Sequence, residues 1–147
     1  MRTSNWIVSM ASRDEVLAND RGWMTQKYGV ELILDLHGCD ASTFNRPSIR
    51  DYFEQLCALI DMQRCELHFW DDEGLPEEQR QTSPHTQGTS AVQFILTSSI
   101  VIHTLDQLGA VYVNIFSCKD FDPAVAEKFT KDWFGARECS ARFIDRI

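Results

Sequence analysis

The chain lacks any apolar run approaching the ~20 residues that a membrane-spanning helix requires. Its N-terminal apolar segment, Trp6-Ile7-Val8, gives way to Ser9 and then to Arg13-Asp14-Glu15. That segment is too short for the core of a secretory signal, so no membrane partner is expected. Basic residues are scarce. Fourteen Lys and Arg stand against 22 Asp and Glu in 147 residues, for a formal net charge of −8. A general nucleic-acid binder needs the opposite sign, because Lys and Arg must neutralise phosphates. No nucleic-acid partner is expected. The cysteines, Cys39, Cys57, Cys65, Cys118 and Cys139, are odd in number and form no CxxC pair, which points to a reduced, cytoplasmic protein. Low-complexity tracts are also absent. With 44% apolar and 24% charged residues, the composition is that of an ordinary globular chain and excludes disorder as its main state. The length suits one compact domain.

Residues 1–28 read as an N-terminal extension, in which Asp14 to Lys27 could form a helix capped by Ser12 and weakened by Gly22. The domain proper spans 29–147. Val30 to Leu36 alternates as a strand and ends at His37-Gly38-Cys39-Asp40. Pro47 suits the first turn of a helix. Ile49, Tyr52, Phe53, Leu56, Leu59 and Ile60 then carry that helix to about Met62. Cys65 to Trp70 is a second strand, and Asp71 to Thr89 a long surface loop whose acidic residues are solvated. Three more strands are expected over Ser90–Leu96, Ile100–Thr104 and Ala110–Phe116, with a turn at Leu105–Gly109. Asp122-Pro123 opens a second helix, with Val125, Ala126 and Phe129 inward, ending near Gly135. Residues 137–144 form a last strand. The pattern predicts an α+β fold: a two-layer sandwich, its sheet mostly antiparallel, with two helices on one face. The other face stays available for a partner.

Three polar features interrupt the apolar strands: Thr97-Ser98-Ser99, His103 and Cys118. Each alone reads as a polar kink, a surface histidine or an inert thiol. Pairing the strands around Leu105–Gly109, with partner numbers summing to 214, sets Cys118 opposite about position 96 and near Ser98. Ser98 and His103 are five residues apart and fall on opposite faces of a straight strand. Their cooperation requires a kink, expected at the Ser-Ser step. Ser90 lies about 26 Å of extended strand from Ser98 and reaches it only through a bend or a second subunit. His37 and Cys39, with His68 and His85, offer no second pair at metal-ligand spacing, so no metal is expected.

The stretch from Gly88 through Thr97-Ser98-Ser99 to His103-Thr104 resembles the core of the prokaryotic S-adenosylmethionine decarboxylases. Asp35-Leu36-His37-Gly38-Cys39-Asp40, Val113-Asn114-Ile115-Phe116-Ser117-Cys118 and Asp120-Phe121-Asp122-Pro123 extend the resemblance over roughly residues 29–145. It implies a pyruvoyl-dependent enzyme. A serine attacks the preceding carbonyl to form an ester, and elimination cleaves the chain, leaving a pyruvoyl group at the new N-terminus. Ser98 matches that serine, His103 the processing histidine, Ser90 a second processing serine and Cys118 the general acid of decarboxylation. The pyruvoyl cofactor would then derive from Ser98, with cleavage between Thr97 and Ser98. A pyruvoyl ketone takes up a substrate amine as a Schiff base and accepts the electrons left by CO₂. The resemblance also implies a homodimer with its sheets stacked face to face and an active site near the interface.

The chain departs from the family at several positions. Thr97-Ser98-Ser99 stands where the family has Glu-Ser-His, and His103-Thr104-Leu105-Asp106-Gln107 where it has His-Thr-Trp-Pro-Glu. Leu105 and Gln107 are the substrate-binding candidates; Leu105 keeps only apolar character and Gln107 keeps hydrogen bonding without charge. The family's adenine-stacking aromatic has Phe69 or Trp70 as candidates. The expected substrate is S-adenosylmethionine, in polyamine biosynthesis. Two alternatives remain open: the same machinery acting on arginine or ornithine, and an uncleaved, non-catalytic ligand-binding or regulatory relative.

Overall fold

A computed structural model describes residues 26–147. The helix expected over Asp14–Lys27 lies outside the described residues, apart from Gln26 and Lys27, which are not helical. The strands are β1 (Gly29–His37), β2 (Arg64–Trp70), β3 (Ser90–Ile95), β4 (Ser98–Leu105), β5 (Ala110–Ser117) and β6 (Glu138–Arg146). The helices are α1 (Arg46–Leu59) and α2 (Pro123–Phe134), and 3₁₀ turns occupy Ala41–Thr43 and Glu77–Gln79. One six-stranded sheet runs in the order β2-β3-β4-β5-β1-β6. Every neighbouring pair is antiparallel. The fold is the expected two-layer α+β sandwich.

Local chemistry sets the helix ends. The Asn45 side chain accepts the Ser48 N–H at the start of α1, and Asp122 accepts those of Ala124 and Val125 at the start of α2. Helix α1 stops at Leu59 rather than Met62, because Asp61 turns left-handed at φ 55°. Its buried residues are Ile49, Tyr52, Phe53, Leu56 and Cys57; α2 buries Ala126, Thr130 and Phe134. Leu59 and Val125, expected inward, are exposed. They sit at the edge of each 3.6-residue stripe, and the centre of each stripe is what meets the sheet. The Tyr52 and Thr130 hydroxyls join the helices at 2.9 Å.

The sheet's two faces follow from strand alternation. Leu32, Leu34, Leu36, Ile100, Ile102, Val111, Val113 and Ile115 are fully or almost fully buried and face the helices. Glu31, Ile33, Val92, Phe94, Val101, His103, Tyr112 and Phe116 alternate with buried neighbours and face away.

Two expectations about the central strands need correction. Ile95 pairs with Ser98, so Leu96-Thr97 is a two-residue hairpin turn. No kink occurs at the Ser-Ser step, and β4 runs unbroken from Ser98 to Leu105. The chain reverses where two exposed residues can leave the ladder, which keeps the apolar alternation of both strands intact. Around the next turn Leu105 pairs with Ala110 and Ser99 with Phe116. Partner numbers sum to 215 rather than 214. Directly paired residues share a face, and only an odd sum aligns Ile100 and Ile102 with Ile115 and Val113 on the buried side.

The loop from 71 to 89 is more firmly held than its polar sequence suggests. Arg46 grips Asp71 with two bonds of 2.6 and 2.9 Å, and Asp72 accepts the Gln81 N–H at 2.6 Å. At its far end Gly88 lies against β4, where a Cβ would sit 1.7 Å from the Thr104 carbonyl oxygen. Gly88→Ala is therefore expected to destabilise the fold by about 3 kcal/mol, as backbone must move to admit the methyl group. A thermal melt checks this; an unchanged melting temperature would mean that the loop lifts from β4 freely.

Candidate active site

Ser98 opens β4 directly after the Leu96-Thr97 turn, and its hydroxyl oxygen accepts the Cys118 backbone N–H at 3.0 Å. Cys118 follows the last residue of β5. There the Ser117 hydroxyl donates to the Lys119 carbonyl (2.7 Å) and accepts the Lys119 N–H (3.0 Å). This tight turn fixes the backbone on both sides of the cysteine. Ser98 is buried while Cys118 is exposed. The Thr97 backbone N–H, followed by the Ser98 and Thr97 hydroxyls, lowers the Cys118 thiol below its ordinary pKa. Thr97 was singled out in the sequence only as a replaced residue; its effect on the thiol depends on a turn that local pattern did not locate.

Ser90 and His103 form a second cluster. They are direct partners across β3 and β4, and Ser90 Oγ and His103 Nδ1 are hydrogen-bonded at 2.8 Å. On the other side of His103 stands its β5 partner, Tyr112. A cavity of about 350 Å³ opens here on the face away from the helices, lined by Trp70, His85, Ser90, His103, Leu105 and Tyr112 among others. Among the described residues, no Asp or Glu lines it. Trp70, the last residue of β2, pairs with Ser90 and is 71% exposed. Phe69 instead faces the helices, beneath the Arg46 and Arg50 guanidinium groups at 5.6 and 5.7 Å. Of the two aromatic candidates, only Trp70 reaches the cavity. Tyr112 was not singled out in the sequence, although its alternation with Asn114 and Phe116 marks it as outward-facing.

The two clusters do not meet within one chain. Ser98 and His103 are about 16 Å apart along β4 and on opposite faces. Leu105 lines the cavity with His103. Gln107 does not: its side-chain amide donates to the Gln87 side-chain oxygen (2.6 Å) and the Thr82 carbonyl (3.2 Å). Among the described residues, no three His, Cys, Asp or Glu side chains are grouped to hold a metal. All five cysteines are free.

The site divides between a serine–thiol pair at a hairpin turn and a serine–histidine pair on the open face. Together they define a two-layer α+β domain with polar chemistry at the end and on the uncovered face of its sheet. Residues 30–147 match the S-adenosylmethionine decarboxylase family, and the chain belongs to that family. It is 26% identical over 98 residues to the S-adenosylmethionine decarboxylase proenzyme of Aquifex aeolicus, covering 66% of this chain and 64% of that one. The chain thus spans somewhat less than two thirds of that relative. With the proenzyme of Clostridium kluyveri it shares 27% over 124 residues, 80% of this chain and 86% of the relative. Its fold is similar to the crystal structure of the Aquifex aeolicus adenosylmethionine decarboxylase, with a TM-score of 0.66 at 20% identity, over 83% of this chain and 92% of that one.

Proposed function

We propose that this chain is a self-cleaving, pyruvoyl-dependent decarboxylase of S-adenosylmethionine in polyamine biosynthesis. The observation that carries this reading is the Ser98 hydroxyl against the Cys118 N–H at a two-residue turn. Cleavage between Thr97 and Ser98 falls in that turn, so it removes no strand pairing. A serine there suits conversion to a pyruvoyl group, which supplies an electron sink for the bond to CO₂. Ser98 is the precursor. Cys118 holds the proton returned to carbon, its thiol being exposed and held below its ordinary pKa. His103 moves protons during processing, with Ser90 orienting its ring. Leu105 and Trp70 give the substrate an apolar and aromatic surface.

The working unit is a homodimer with its open sheet faces stacked. Two observations support this. The Ser90–His103 pair lies on the wrong face to serve Ser98 of its own chain. The open face also presents Ile33, Val92, Phe94, Val101 and Phe116 with no covering layer among the described residues. Ser98 itself is buried on the helix side at the turn end of the sheet, so a shared site needs each pair to reach past that end to the other chain's Ser98. Residues 29–147 form the catalytic domain and 1–28 an extension to it. The free cysteines agree with a cytoplasmic location, and among the described residues no helix is long and apolar enough to cross a membrane.

A second reading, the same machinery acting on another amino acid such as arginine or ornithine, is favoured by Gln107, which is turned away from the cavity. An uncleaved regulatory relative is the outcome if processing fails. Intact mass under denaturing conditions is the direct test. The expected result is two fragments, residues 1–97 and a blocked chain of residues 98–147, followed by CO₂ release from S-adenosylmethionine. A single species of full mass would sink the decarboxylase reading.

A further inference from the structure

We infer that Gln107 is a positioning residue that sets His85 as a specificity-determining wall of the cavity holding Ser90 and His103, selecting substrates with a planar end group. The inference rests on the decarboxylase reading, which leaves the substrate's distal end open. Gln107 stands in the β4–β5 turn, and its amide reaches across to Thr82 and Gln87 on either side of His85. The same short segment is fastened from three more directions. The Ser83 carbonyl accepts the Thr86 and Gln87 N–H groups at 3.0 and 2.9 Å. The Gln87 carbonyl accepts the Asp106 N–H at 3.1 Å. Gly88 is pressed against the Thr104 carbonyl with no room for a side chain. These ties hold a turn with His85 at its tip, and His85 lines the cavity together with Trp70, His103 and Tyr112.

The chemistry of that lining is selective. Two imidazoles, an indole and a phenol offer aromatic faces beside the neutral amide and hydroxyl groups of Gln81, Thr86, Ser90 and Thr104, and among the described residues no carboxylate lines the cavity. A flexible terminal ammonium needs a carboxylate or several converging acceptors when it leaves water. A flat, nitrogen-bearing group stacks on an aromatic face and meets an imidazole at its edge. Both a purine and a guanidinium have that form. Ornithine does not.

The test combines steady-state kinetics with calorimetry. His85→Ala and Gln107→Ala are each expected to raise KM by about three- to tenfold, the loss of one or two hydrogen bonds, with a smaller effect on kcat. The double variant is expected to match the larger single one, because Gln107 acts through His85. Gln107→Glu separates positioning from direct contact: a carboxylate cannot donate to Thr82 and Gln87, so it should behave as the alanine variant does. Calorimetry on Ser98→Ala protein, which needs no processing or turnover, uses S-adenosylmethionine, arginine and ornithine as probes. Binding of at least one of the first two, weakened by His85→Ala, with ornithine bound far more weakly, supports the inference. Even if the wild type proves uncleaved, these titrations still decide it. A lower KM for Gln107→Glu, multiplicative single effects, equal binding of ornithine, or no heat with any probe would overturn it.

Discussion

Co-expressing a Ser98→Ala chain with a His103→Ala chain is expected to restore about a quarter of the wild-type activity, although each variant alone has none. The expectation follows from where β4 puts the two residues. They are five positions apart on an unbroken strand, so they face opposite ways and stand about 16 Å apart. No rotamer closes that gap. If each pair reaches past the turn end of the sheet in a two-fold dimer, each site takes Ser98 and Cys118 from one chain and Ser90 and His103 from the other. A mixed dimer then holds one site with both substitutions and one with neither. Half of the dimers are mixed and half of their sites intact, which gives the fraction. Intact mass should report the same fraction of cleaved chains. Complete inactivity of mixtures shown to contain mixed dimers would place the working residues within one chain and exclude the shared site.

Cys118→Ala is expected to leave self-cleavage largely intact while lowering decarboxylation by about 10²- to 10⁴-fold, the usual contribution of a positioned general acid. Cleavage survives because the contact to the Ser98 hydroxyl comes from the backbone N–H at position 118, which alanine retains. Turnover fails because the proton donor to carbon is gone. The pH profile supplies a second reading. A general acid works in its protonated form, so wild-type activity should fall as pH rises through the pKa of the thiol. The Thr97 N–H and the neighbouring hydroxyls lower that pKa, and the fall should begin below the ordinary thiol range. The residual activity of Cys118→Ala should lack this limb. An unchanged alkaline limb in the variant would assign the limb to another group and remove Cys118 from the proton transfer.

Much of this architecture is legible in local pattern. Period-two alternation in Val30–Leu36 and Ala110–Phe116 located two strands, and Pro47 and Asp122-Pro123 marked the starts of both helices. Local pattern failed where a boundary depends on pairing. Ser98 and Ser99 read as a break between strands, yet they belong to β4, because Ile95 and Phe94 opposite them supply the ladder. Phe69 and Trp70 were equivalent as adjacent aromatics. Strand phase in the sheet separates them, sending one beneath Arg46 and the other into the cavity.

By itself, the order of residue types determined the fold class and the family that the Ser90, Ser98, His103 and Cys118 spacing resembles, while the unbroken run of β4 that turns Ser98 and His103 to opposite faces came from strand pairing. The first two depend on periodicity and on separations of a few residues. Tertiary structure alone decided that Ser90 meets His103, that the Cys118 N–H meets Ser98, and that Gln107 binds Thr82 and Gln87 instead of facing the cavity. Each of those contacts joins residues 13 to 25 positions apart. Across such separations, one residue of register decides which side chains share a face, and it is the packing of both strands against the helices that fixes the register.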